Sequence, residues 1–124
     1  MVDYRLELVF VPVSDVDAAK EFYGTTLGWP VDNDAAVSDD MRFIQVTPPG
    51  SACSIAFGLG LSSMEAGSLR ALQAVVSDIE VAHRDLAGRG IDVTDVEDLP
   101  WGRFVHFSDP DGNTWAIQQL VPRT

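Results

Sequence analysis

Apolar positions recur along this chain with two different periods, which predict strands and helices in alternation. Within residues 4–13, Leu6, Leu8 and Phe10 alternate with valines, so a strand that is apolar on both faces is predicted. The stretch 32–40 is acidic and polar and is predicted to be a loop or a mobile edge. The other predicted strands are 41–46, 52–59, 69–76, 91–96, 101–108 and 113–121.

Two segments carry apolar residues at helical spacing. The first begins after Ser14 and Asp15, either of which can cap a helix, and it ends at Gly28. The second begins after Ser77, and Glu80 three residues later completes a capping box. Each predicted helix has one apolar stripe, which favours packing against a sheet.

The chain repeats its own plan. Residues 13–19 match residues 76–82, and the Asp-Pro-Asp-Gly turn at 109–112 has a fainter counterpart at 47–50. Each half is therefore predicted to be a βαβββ module. We expect an α+β fold in a single domain, 1–124, with modules 1–60 and 68–124 whose open sheet faces curve into a cup of mixed sheet. A cup of this kind favours a small-molecule cavity.

Composition narrows the classes of partner. The net charge of −11 opposes contact with nucleic-acid phosphates and with anionic lipid surfaces, so neither partner is expected. No apolar run is long enough to span a membrane, and the beginning of the chain lacks the pattern of a signal peptide. Cys53 is the only cysteine and cannot form an internal disulfide. These features predict a cytoplasmic protein.

In its motifs the chain resembles the vicinal oxygen chelate superfamily, which includes glyoxalase I, extradiol dioxygenases and bleomycin resistance proteins. The resemblance covers nearly the whole chain in the right order and is carried by residues 13–15, 22–23, 27–28, 76–78 and 109–113. It implies the cup-shaped glyoxalase fold and, because such relatives are commonly dimeric, a homodimer with cups completed across the interface. One fold hosts many activities, so the chemistry must come from the site.

The resemblance also indicates where a metal would be held. Enzymes of this superfamily bind a divalent metal with His and Glu at four cup-facing positions. In this sequence the matching residues are Leu8, Ala71, Ala116 and either Ser54 or Ala56. None of these carries an imidazole or a carboxylate, which are the donors that such a metal needs. We therefore expect no metal and no cofactor.

Without a metal, the cup is predicted to be an apolar cavity with a few polar groups. Gln73 and Gln118 could orient a ligand or bond each other. Trp101 could stack on a flat ligand or seal a core edge, and Arg103 could mark an anionic group or form a surface ion pair. The residues expected to bind the ligand are Leu8, Phe10, Gln73, Trp101, Arg103, Ala116 and Gln118.

Three functions follow from this interpretation. The first is a metal-free binding protein that sequesters a hydrophobic or aromatic small molecule. The second is a metal-independent isomerase, lyase or cyclase in which His106 acts as an acid or base and a glutamine stabilises an oxyanion. The third, ranked last, is the metal-dependent glyoxalase reaction.

Overall fold

The computed structural model describes residues 1–121 and consists of two similar modules. The first module contains β1 (Leu8–Phe10), α1 (Val16–Lys20) with its π-helical continuation Glu21–Thr26, β2 (Val31–Ser38), β3 (Met41–Val46) and β4 (Ser54–Leu59). The second contains β5 (Leu72–Val75), α2 (Ile79–Gly88), β6 (Glu97–Leu99), β7 (Gly102–Ser108) and β8 (Thr114–Leu120). The predicted pair of βαβββ modules is confirmed.

Each module forms one mixed four-stranded sheet, in the order β1-β4-β3-β2 and β5-β8-β7-β6. The first strand of each module pairs in parallel with the last strand, and the other pairs are antiparallel. In register, Leu8 lies opposite Ser54 in the first sheet, and Gln73 lies opposite Ala116 in the second. This is the α+β arrangement expected from the repeat.

The helices begin where the sequence predicted. Asp15 is the N-cap of α1 and its carboxylate accepts a hydrogen bond from the backbone nitrogen of Ala18. In α2 the cap is Asp78 rather than Ser77, and its carboxylate accepts from the nitrogens of Glu80 and Val81.

One element prediction left two alternatives open, and another is wrong. The stretch 32–40, expected to be a loop or a mobile edge, contains most of β2, an exposed edge strand that pairs only with β3. The expected strand 91–96 is not a strand, and β6 follows it at Glu97–Leu99. Its apolar residues pack on the core instead, while the backbone of Thr94 bonds the edge of β7 at His106.

The core lies between the two sheets, around Tyr23 of the π-helical segment. The Tyr23 ring centroid is 5.6 Å from that of Phe57 in the first sheet and 6.1 Å from that of Trp115 in the second. Phe22 similarly contacts Phe107, with centroids 6.2 Å apart. The helix-covered faces of both sheets therefore share one apolar interior, and their opposite faces point outward.

The two modules are also joined by a buried polar network at the 109–112 turn. One carboxylate oxygen of Asp109 accepts hydrogen bonds from the Tyr23 hydroxyl at 2.9 Å and the Asn113 amide at 2.8 Å. The other oxygen accepts from the backbone nitrogens of Asp111 and Asn113. The Asn113 side chain also donates to the carbonyl of Pro12, 2.8 Å away in the first module. This turn therefore both closes a hairpin and fastens one module to the other.

Tyr23 connects this network to the aromatic core. Its hydroxyl accepts a hydrogen bond from the indole nitrogen of Trp115 at 3.0 Å and donates to Asp109. Burial, together with the nearby charge of Asp109, raises the pKa of Tyr23 far above its usual range, so the hydroxyl keeps its proton.

Among residues 1–121, no helix combines the length and the apolar character that crossing a bilayer requires.

The network predicts the effect of removing one hydroxyl. Tyr23→Phe leaves the Trp115 N–H and one Asp109 lone pair unpaired in a buried site, which should lower the free energy of unfolding by about 1–3 kcal/mol. Urea denaturation followed by circular dichroism measures this loss. Tyr4→Phe is the matched control, because Tyr4 is 91% exposed. Equal unfolding midpoints for the two variants would contradict this role for the network.

Candidate functional site

The outward face of each sheet, opposite the helices, is called its cup face. Cross-strand partners share a face and neighbours along a strand alternate, so the strand register assigns each residue. The first cup face carries Leu8, Phe10, Phe43, Gln45, Ser54 and Ala56. The second carries Gln73, Val75, Phe104, His106, Ala116 and Gln118.

The register changes one of the positions matched to a metal ligand. Ala71 has φ of +58° and precedes β5, whereas the residue opposite Ala116 is Gln73. The cause is loop length: the cap Asp15 follows the last residue of β1 by five positions, and the cap Asp78 follows the last residue of β5 by three. A count back from the start of the helix that reaches Leu8 in the first module therefore reaches Ala71 in the second, two residues before Gln73.

The donor set at the four central cup positions does not suit a divalent metal. Leu8, Ser54, Gln73 and Ala116 provide two hydrocarbon side chains, one hydroxyl and one amide. Tightly held metals of this class need imidazole, thiolate or carboxylate donors. Nowhere in residues 1–121 do three or more His, Cys, Asp or Glu side chains gather closely enough to hold an ion.

On the second cup face, the two glutamines bond each other. The Gln73 amide donates to the Gln118 carbonyl oxygen at 2.5 Å, and the Gln118 amide donates to the backbone carbonyl of Trp101 at 3.1 Å. Gln118 is buried and Gln73 remains exposed. The chain of amides holds Gln118 in place and leaves Gln73 as the polar group that a guest would meet first.

The first cup face has a polar residue that sequence reasoning did not identify, Gln45. Its amide donates to the Ser54 hydroxyl at 3.1 Å, and that hydroxyl lies 2.7 Å from the Thr47 hydroxyl, which bonds Asp32. The alternation of apolar and polar residues in 41–46 is the signal that could have placed Gln45 on this face.

His106 lies on the second cup face, opposite Ala116. Its ring is nearly parallel to that of Phe104, with centroids 6.2 Å apart and planes 12° apart. It also lines an open groove of about 670 Å³ along the edge of β7, together with Thr94 and Ser108. The imidazole is half-buried, and β8 separates it from Gln73 of β5.

A cleft of about 500 Å³ lies between the first strands of the two modules. Its polar groups include Ser54, Gln73 and Cys53. Most of its lining is apolar, and includes Leu6, Val9, Ile55, Leu72, Val75 and Trp115. The cleft is large enough for an aromatic ring system and joins the edges of the two cup faces.

Arg103 does not lie at the cup. Its guanidinium bonds Asp98 at 2.7 Å and Glu80 of α2 at 2.9 Å, which places it on the helix side of the sheet. These carboxylates raise the pKa of Arg103. The expectation that Arg103 binds the ligand is corrected. Its position along β7 directs the side chain to the helix side of the sheet, where it pairs with Asp98 and Glu80.

Arg42 has the same arrangement in the first module. It bonds Asp34 and Asp17, and Lys20 also bonds Asp34 at 2.7 Å. Hydrogen bonds from Arg42 and Lys20 hold the pKa of Asp34 well below its usual range. Arg42 and Lys20 thus pair with acids on the helix side of the first sheet, and neither lies on its cup face.

Trp101 and Trp29 each lie just before a strand, and the two side chains have different surroundings. Trp101 is 61% exposed at the turn between β6 and β7, where its carbonyl anchors Gln118. Trp29 packs in the core, with its ring centroid 5.2 Å from that of Trp115. Of this pair, Trp101 has the more exposed side chain.

The structure therefore divides the predicted ligand-binding residues between two faces. Leu8 and Phe10 lie on the first cup face, and Gln73, Ala116 and Gln118 lie on the second. Phe10 and Gln73 line separate cavities of the single chain.

The family model described as the Glyoxalase/Bleomycin resistance protein/Dioxygenase superfamily matches residues 5–117. The chain belongs to this superfamily.

Three relatives illustrate the similarity. The structure of TnmS3, described as an antibiotic binding protein from Streptomyces sp. CB03234, is 36% identical with a TM-score of 0.87, covering 98% of this chain and 99% of TnmS3. A superfamily member from Sphaerobacter thermophilus DSM 20745 is 31% identical with a TM-score of 0.79, covering 94% and 98%. YetH of Bacillus subtilis (strain 168) is 24% identical over 119 residues, covering 93% of this chain and 98% of YetH.

Proposed function

We propose that this chain is a metal-free binding protein that sequesters a hydrophobic, aromatic small molecule at its cup faces. The observation that carries the proposal is the chemistry of the four central positions, Leu8, Ser54, Gln73 and Ala116. Hydrocarbon, hydroxyl and amide groups can hold an organic guest by burial and hydrogen bonding, but they are poor donors for a catalytic ion.

The relatives support a binding role. TnmS3 covers nearly all of this chain at 36% identity and is described as antibiotic binding. We infer that this chain also binds a small molecule, and that its own side chains determine which molecule it accepts. Trp101, which is 61% exposed, provides aromatic surface beside the second cup face, and Gln73 provides an amide for a carbonyl or hydroxyl of the guest.

We further propose that two copies of the chain complete each cup. The cup faces and the adjoining cleft leave large apolar side chains exposed: Leu6 is 79% exposed, Val75 62%, Leu120 55% and Phe10 40%. Apolar surface of this kind marks an interaction site. If the first cup face of one copy meets the second cup face of its partner, Phe10 and Gln118 border one cavity although a single chain keeps them apart.

The reducing cytoplasm is the compartment that we propose, since Cys53 is the one cysteine in the sequence and has no partner for an internal disulfide.

Binding can be measured with N-phenylnaphthylamine, a neutral aromatic dye that fluoresces in apolar surroundings. We expect saturable binding that a chelator does not change. Trp101→Ala should weaken the binding about tenfold, because it removes an exposed aromatic surface beside the amide chain. Fluorescence titration gives the dissociation constants.

Arg103→Gln is the matched control for this titration, because Arg103 is two residues from Trp101 but faces the helix side. It should bind the dye as the unaltered protein does. Absence of saturable binding, or loss of binding on chelation, would overturn the proposed function.

The paired-cup arrangement predicts that a charge on the cup face separates the two copies. Val75→Glu should convert the dimer to a monomer, since a buried unpaired carboxylate opposes association. Val81→Glu is the control, because Val81 is 51% exposed on α2, away from the cup faces. Sedimentation velocity measures the outcome. A monomeric unaltered protein, or a dimer that tolerates Val75→Glu, would refute the arrangement.

A second function is favoured by one observation. The half-buried His106 lies on the same cup face as Gln73 and Gln118. In this alternative the imidazole transfers a proton while an amide donates to the developing oxyanion. Mass spectrometry of aromatic metabolites incubated with the protein should recover them unchanged if the chain only binds. Conversion that His106→Gln abolishes, while dye binding persists, would instead establish the enzyme.

A further inference from the structure

The linker between the modules is anchored at both ends. Gly60 has φ of +72°, and a Cβ there would come within 2.7 Å of the Asp40 carbonyl oxygen. The nitrogen of Gly67 donates to the carbonyl of Pro12 at 3.0 Å, and Arg70 donates to the carbonyl of Gly67 at 2.6 Å. Residues 61–66, here called the linker arch, are therefore held in place although they form no helix or strand.

The linker arch stands against the first cup face and encloses a small cavity. Leu61 and Met64 of the arch line this cavity of about 40 Å³, together with Phe10 and Gly58 of the sheet. A side chain at Gly58 would meet the Arg42 carbonyl and would come within 3.0 Å of Leu61. The absence of a side chain at Gly58 thus lets the linker arch approach the sheet, where it covers one end of the first cup face.

Two of the side chains that line the cavity are also exposed. Met64 is 46% exposed and Phe10 is 40% exposed, so both present apolar surface outward as well as to the cavity. The cavity volume of about 40 Å³ exceeds the roughly 10–15 Å³ that one water molecule needs. A small substituent of a guest therefore fits.

We propose that the linker arch forms a specificity subsite, in which Met64 and Leu61 receive a small apolar substituent, or the edge, of the aromatic guest that lies against Phe10. The inference rests on the proposed function. Methionine suits this task, because its flexible thioether adapts to irregular guests and makes favourable contacts with aromatic ring edges at about 5 Å. The size of the cavity then limits which substituents a guest can carry at this position.

Methyl resonances of methionine test this placement directly. The chain has three methionines, so a protein labelled with ¹³C at the methionine methyl groups gives three signals. On titration with N-phenylnaphthylamine, ring currents should shift the Met64 signal most. Met41 is the internal control, since it is 39% exposed on the cup-face side of β3 but does not line this cavity.

Affinity provides the second measurement. Met64→Ala should weaken dye binding about fivefold through the apolar contact it removes, and Val81→Ala, a change on α2 away from the cup faces, should leave it unchanged. If the dye saturates the protein but the Met64 signal stays still, or Met64→Ala binds with full affinity, the subsite is refuted and the proposed function stands. If the dye does not bind the unaltered protein, both are refuted.

Discussion

The buried carboxylate of Asp109 is the interaction on which the arrangement of the two modules depends. It accepts hydrogen bonds from a tyrosine of the first module and from the turn of the second, with no exposed partner. A buried carboxylate is tolerated only when its oxygens are fully bonded, so the modules must meet in the one geometry that supplies these donors. Asn113 reinforces this geometry through the carbonyl of Pro12.

This geometry decides which surfaces remain for binding. Because Tyr23 and its aromatic neighbours bring the helix-covered faces together, the cup faces of a single chain point outward. The arginines follow the same division, since Arg42 and Arg103 pair with acids on the helix side. The cup faces carry mainly hydrocarbon, aromatic rings, amides and hydroxyls, together with the imidazole of His106, a composition suited to an uncharged organic guest.

The first strands of the modules show why a repeat in sequence is only an approximate guide to a site. The helices align at one offset and the strands at another, because the first module has a longer connection between strand and cap. As a result Gln73, and not Ala71, stands opposite Ala116. Gln73, expected to contribute a polar group to the cavity, thus lies at a central position of the cup. The count back from the helix had indicated Ala71, two residues earlier.

The sequence by itself determined the module plan, the helix starts and the replacement of metal donors at Leu8 and Ala116, because caps, periodicity and residue chemistry are local properties. Only the tertiary structure decided that Arg103 faces away from the cup, that Gln73 and Gln118 bond each other, and that the linker arch stands beside Phe10. It also decided between a loop and an edge for residues 32–40, most of which belong to the edge strand β2. These outcomes depend on register and on partners distant along the chain, which a local pattern does not contain.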